Sequence, residues 1–158
     1  MNIAPEAEIV QVPLPEKRFP PGRTLALHRQ FGLLATLARG SGESGPSLLG
    51  AALLDPDEGR VIAALLSVFP KHCPYEVALA ALTYPALDEQ AVVRCRERLQ
   101  QARQGDYWAA EMARVRAALS SANAKLGGLE LKVCAALDTG YVLVPSPGSP
   151  GERAVAPA

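Results

Sequence analysis

Histidine and cysteine are scarce in this chain and nowhere clustered. His28 and His72 stand far apart, and Cys73, Cys95 and Cys134 are scattered without CxxC spacing. No set of ligands sits at metal spacing, and His72-Cys73 beside Lys71 lacks a third group to orient a nucleophile. No metal, no cofactor and no catalytic residue is expected, so the chain does not read as an enzyme. An odd number of cysteines without a signal-peptide pattern reads as reduced thiols in a cytoplasmic compartment. Long apolar runs are missing too. The longest, Val61 to Phe69, is far short of the ~20 residues a membrane span needs. Net charge is also absent: 16 Lys and Arg balance 16 Asp and Glu, which excludes a uniformly basic coat.

What remains is enough for a folded domain. Hydrophobic residues make up 49% and charged ones 20% of 158 residues, which excludes wholesale disorder and allows one core with tails. The balanced charge is unevenly placed. From Arg94 to Lys132 there are eight Lys/Arg against four Asp/Glu, whereas Glu43 to Glu58 holds four acids and no base. A neutral chain can therefore present one cationic face.

Residues 1–22 carry Pro5, Pro13, Pro15, Pro20 and Pro21 and read as an extended arm, with Ile9-Val10-Gln11-Val12 able to add a strand to a sheet edge. Thr24 to Ala38 suits either a helix, through Leu27, Phe31, Leu34 and Ala38, or two strands flanking Gly32. Ser47 to Leu54 is a short apolar segment. Asp55-Pro56-Asp57-Glu58 then forms a helix start: an N-cap, a proline at the first position and a glutamate that closes a capping box. That helix runs to Phe69, where Pro70 stops it. A second opens at Pro74 and ends near Tyr84-Pro85. A third, 88–104, is capped by Asp88 with Val92, Cys95, Leu99 and Ala102 inside, and Arg94, Arg96, Arg98 and Arg103 on it.

Asp106 to Val144 reads as one continuous device. Asp106 stands where an N-cap belongs, and Trp108, Met112, Val115, Leu119, Ala122 and Leu126 recur at helical spacing on one stripe. Tyr107 and Trp108 read as helix-start and core residues. Gly127 and Gly128 can supply the positive φ that ends a helix. Leu129 to Val133 alternates as a strand, Asp138-Thr139-Gly140 reads as a turn, and Tyr141 to Val144 as the return strand. The tail from 146 to 158 is rich in Pro, Gly and Ser and is expected to be disordered.

From Leu54 onward this order resembles the DNA-binding effector domain of OmpR/PhoB-type response regulators. Leu54-Asp55-Pro56-Asp57-Glu58 looks like the family's Leu-Thr-x-x-Glu helix start, and Lys125-Leu126-Gly127 like the end of its recognition helix. Gly140-Tyr141-Val142-Leu143 looks like the Gly-Tyr-x-Leu of its wing. The chain departs from the family at Ala122, Asn123 and Ala124, where a dense basic run is usual, and at Ala135 to Asp138, where the wing usually offers arginine. Helix 88–104 looks like an insertion, and the residues before Leu54 are too few for a receiver domain.

The resemblance implies an α+β, mainly α winged helix of three to four helices with a hairpin wing and possible short N-terminal strands. The domain is expected over 23–145, with its core at 54–145. It implies a transcriptional regulator binding double-stranded DNA, with helix 106–126 in the major groove and wing 129–144 beside it. Outward residues Arg114, Arg116, Ser120, Ser121, Asn123 and Lys125 would contact DNA, with Lys132 and Thr139 touching backbone; Arg pairs with guanine, Asn with adenine, and Ser and Lys with phosphate. Were these arginines held in internal ion pairs, or the closing strands placed elsewhere, the regulator expectation would fall and only a compact helical domain would remain. The rival expectation is an adaptor that binds a protein through the arm, helix 88–104 or the apolar wing tip Ala135-Ala136-Leu137. A homodimer fits either, and no membrane is involved.

Overall fold

The computed structural model describes residues 8–40 and 45–146; the expected tail beyond Ser146 lies outside them. The fold is mixed α and β, with two antiparallel sheets and the helices between them. The first sheet contains β1 (Ile9–Pro13), β2 (Arg23–His28), β3 (Leu33–Ala38) and β4 (Ser47–Leu53) in sequential order. The ambiguous segment after residue 23 is thus two strands. Their turn requires Gly32, at φ 75°, where a Cβ would come within 2.5 Å of the Leu54 carbonyl oxygen. With that turn fixed, Leu25 and Leu27 on β2 and Leu34 on β3 all point into the core. Phe31, which a helix would have buried, lies exposed in the turn. The described part of the proline-rich arm, from residue 8, joins the first sheet. It contributes β1, and Leu14 and Phe19 after it are buried, with Phe19 packed on Phe69.

α1 (Pro56–Val68) starts at the N-cap Asp55, whose N–H is accepted by Glu58 Oε1 at 2.7 Å. It buries Val61, Ile62, Leu65 and Leu66 and packs against α2 (Tyr75–Thr83) and α5 (Ala113–Leu126). Between α1 and α2 lies β5 (Cys73–Pro74). α3 (Glu89–Gln104) is capped by Asp88, which accepts from the Ala91 N–H, and buries Ala91, Cys95, Leu99 and Ala102 against α2.

Helix 106–126 is not continuous. Asp106, at φ 62°, ends α3 rather than starting the next helix: Tyr107 N–H bonds the Ala102 carbonyl and Asp106 N–H the Arg103 carbonyl. Those two bonds form a Schellman close, with aspartate in the left-handed position that glycine usually takes. A single turn, α4 (Trp108–Glu111), follows, and the chain bends at Met112 before α5. Met112, Val115, Leu119, Ala122 and Leu126 are buried as a stripe, whereas Trp108 is only half buried. Each large side chain in that stripe contributes roughly 1.5–3 kcal/mol by burial, more than the one broken turn costs.

The expected glycine stop is also moved. Gly127 stays in the right-handed region within a 3-10 turn (Gly127–Leu129), and Glu130, at φ 61°, takes the left-handed position. β6 (Leu131–Ala136) and β7 (Gly140–Pro145) then form the hairpin, and β5 pairs with the far side of β7. Among the described residues no helix is long and apolar enough to cross a membrane.

Candidate nucleic-acid interface

α5 presents three different faces besides its buried stripe. One meets the acidic N-terminus of α1. Arg114 forms a two-pronged pair with Asp57, both bonds 2.9 Å, and also donates to the Leu82 carbonyl at the end of α2. Lys125 donates to Glu58 at 2.7 Å, with Asp55 at 3.7 Å, and Ser121 donates to the other Glu58 oxygen. The spacing 114, 121, 125 places all three on one side of the helix. Cations on α5 thus neutralise carboxylates that also favour the first turn of α1 through its dipole.

Glu58 is the hub of this contact. Its burial pushes the carboxyl pKa up, but hydrogen bonds from Lys125, Ser121 and the Asp55 N–H outweigh that and hold it below the ordinary value. Hydrogen bonding to Arg114 likewise lowers Asp57, against some desolvation. The second face carries Asn123, whose amide donates to the Val133 carbonyl at 3.1 Å and accepts from its N–H at 2.8 Å.

The eight residues expected to contact DNA therefore divide. Arg114, Ser121, Asn123 and Lys125 hold α5 to its neighbours, so they are structural in this fold. Their side chains sit at the flanks of the helix because acids and a strand edge lie there, which the helical stripe alone does not reveal. Thr139 is engaged as well, its hydroxyl 3.1 Å from His72 Nε2 and donating to the Ala136 carbonyl. Arg116, Ser120 and Lys132 are exposed and make no side-chain hydrogen bond or ion pair among the described residues. Arg116 and Ser120 lie on the third, outward face of α5, beside Ala113, Ala117 and Ala124.

Arg116 stands near Tyr141, whose hydroxyl pKa is raised by burial in spite of that guanidinium. Tyr141 packs edge-on against Tyr75, and Tyr75 edge-on against Trp108, with ring centroids 5.2 Å apart in both pairs. Arg103 covers Trp108 at 4.0 Å from its ring centre. Tyr75, Trp108 and Arg103 border a cleft of about 400 Å³ between α3 and the hairpin turn, also lined by His72, Arg96 and Gln100. Its charges are balanced: Arg96 pairs with Glu76, and Asp138 accepts the Tyr75 hydroxyl at 3.1 Å. Sequence reading missed this cleft because it depends on the bend at Met112, which turns Trp108 out of the core stripe. A larger groove of about 840 Å³ runs between the β2–β3 turn and α1, lined by Val10, Phe31, Leu54, Arg60, Ala63 and Leu87 among others.

Two of the three cysteines, Cys73 and Cys95, are buried. Burial pushes the Cys73 thiol up to about 12 and raises Cys95, keeping both protonated. Among the described residues no group of three or more His, Cys, Asp or Glu is placed to hold a metal ion. No family model matches the chain, and no curated protein or solved structure matches it either.

Proposed function

We propose that the chain is a cytoplasmic winged-helix regulator of the OmpR/PhoB-like type that binds double-stranded DNA. The observation that carries this reading is the succession α1, α2, α5 and hairpin, with β5 closing on the hairpin's return strand. In it α5 is the recognition helix and β6–β7 the wing. The contact set is smaller than the sequence suggested: Arg116 and Ser120 on the helix and Lys132 on the wing. The inserted helix α3 also carries an exposed arginine, Arg94.

With so few cations, affinity rests on a handful of phosphate contacts and the salt dependence is shallow, about 0.9 in log–log slope per phosphate neutralised. Fluorescence polarisation on random duplex at low salt tests it. Micromolar binding should weaken on Arg116→Ala and on Lys132→Ala but not on Arg114→Ala. Absence of binding, or binding indifferent to Arg116→Ala, overturns the reading.

One observation favours a second reading, an adaptor that binds protein on the same frame. Leu137 at the hairpin tip is 93% exposed and sits at φ 50°. An apolar side chain so placed suits a protein surface better than phosphate. A stoichiometric partner recovered after nuclease treatment, and lost with Leu137→Asp, supports the adaptor; recovery unaffected by that change does not.

A further inference from the structure

The outward face of the first sheet has no charged side chain. Strand alternation and the register place His28, Leu33 and Leu53 in one outward row, Ala26, Ala35 and Ala51 in the next, and Leu37 with Leu48 in a third. β1 extends these rows with Ile9, Gln11 and Pro13. No Lys, Arg, Asp or Glu occupies an outward position on any of the four strands. Beside the first row Phe31 stacks on His28 with ring centroids 4.5 Å apart.

Taking about 200 Å² as the full surface of a large apolar residue, the exposed fractions of 45 to 65% at Ile9, Leu33, Leu48 and Leu53 leave roughly 450 Å². That already matches the largest apolar patches of ordinary monomers, about 300–600 Å². With the alanines, Gln11 and Pro13 added, the face approaches the ~800 Å² that each partner gives to a stable interface.

We propose that this face binds a second copy of the chain, sheet on sheet. A two-fold contact needs a surface that complements itself. An uncharged face meets its own copy without opposing like charges. The leucine rows flanking an alanine row supply ridges and a trough of matching size, so a second sheet can seat about 10 Å away. The segment 147–158 is a poor substitute. It leaves from Ser146, whose N–H bonds the Glu130 carbonyl, close to where Gly50 of β4 faces Leu129. Yet residues 147–158 contain no leucine, isoleucine or aromatic residue.

Sedimentation velocity of the full chain, from low micromolar to near-millimolar concentration, tests the proposal without nucleic acid and so apart from the DNA reading. A monomer–dimer equilibrium is expected, weakened at least tenfold by Ala35→Arg and by Leu53→Glu, and kept when 147–158 is deleted. Thermal melts of both variants check that they fold. Hydroxyl-radical footprinting of the unaltered chain needs no variant, and should show Leu33, Leu48 and Leu53 protected at high concentration only. A monomer at every concentration, a dimer indifferent to both substitutions, a dimer lost with the deletion, or unprotected leucines would each overturn it.

Discussion

Asn123 on α5 reproduces, with one side-chain amide, the pair of bonds that a neighbouring strand would give Val133 on β6. β6 is an edge of its three-stranded sheet, where one side of the ladder is left unpaired. The amide closes that edge and fixes the distance between helix and hairpin. Asn123→Leu keeps the bulk and removes both partners, leaving two backbone groups unsatisfied. A loss of about 1–3 kcal/mol is expected, read as a lower urea midpoint with unchanged slope. An unaltered midpoint would show that water serves Val133 equally well.

Acid should weaken the fold through Glu58. Its folded pKa lies below the ordinary value, so the unfolded chain takes up the proton first. The stability it contributes is therefore complete above the ordinary glutamate pKa of about 4.3 and is lost as pH falls through the lower folded value. Asp57, lowered by Arg114, acts in the same direction. Denaturant titrations at a series of pH values should show this acid limb, and Glu58→Gln should flatten it while lowering stability at neutral pH. An identical acid limb in that variant would assign the effect elsewhere.

Gly140 is held by backbone, not by flexible neighbours. A Cβ there would stand 2.1 Å from the Cys73 carbonyl oxygen and 2.9 Å from Pro74 Cα. Gly140→Ala must therefore separate β5 from β7, and α2 with it, since α2 begins one residue after β5. The expected result is a fold too unstable to purify, or a melting temperature lower by well over 10 °C, given about 2–4 °C per kcal/mol for a chain of this size. A melt near that of the unaltered chain would contradict the placement of β5.

The hairpin tip is strained. Leu137 and Asp138 both adopt positive φ, 50° and 57°, in a turn closed by the Thr139 N–H to Ala136 carbonyl bond. Tight turns of this hand favour Asn-Gly, and a left-handed leucine costs roughly 1–2 kcal/mol. Leu137→Asn should raise stability by about 1 kcal/mol, seen as a higher melting temperature. If the adaptor reading holds, the same change should abolish partner capture; stabilisation with full capture retained would separate the tip from binding.

The parts of the fold legible in sequence were those set by neighbouring residues. Asp55-Pro56 with Glu58 marked the start of α1, Asp88 that of α3, and the alternation after Leu129 the hairpin. Parts that depend on distant partners were hidden. Whether 24–38 was helical or extended turned on β1 and β4 pairing on either side of β2 and β3. Gly105-Asp106 looked like a start because a short polar residue after glycine serves both ends of helices; the Ala102 carbonyl decided for the end. At the candidate site, helical spacing separated Arg116 from the buried stripe. It said nothing of Asp57, whose carboxylate claims Arg114 from 57 positions away.

The carboxylate of Glu58 ties the opening turn of one helix to two side chains of another, so neither helix loosens by itself. Amide protons around Gly59 and in the middle of α5 should consequently exchange at one shared rate, as parts of a single unfolding unit. Under the proposed DNA reading, a helix so held meets the duplex in finished form. It surrenders little conformational entropy on contact, and selectivity then follows from the fit of a rigid surface rather than from folding upon it.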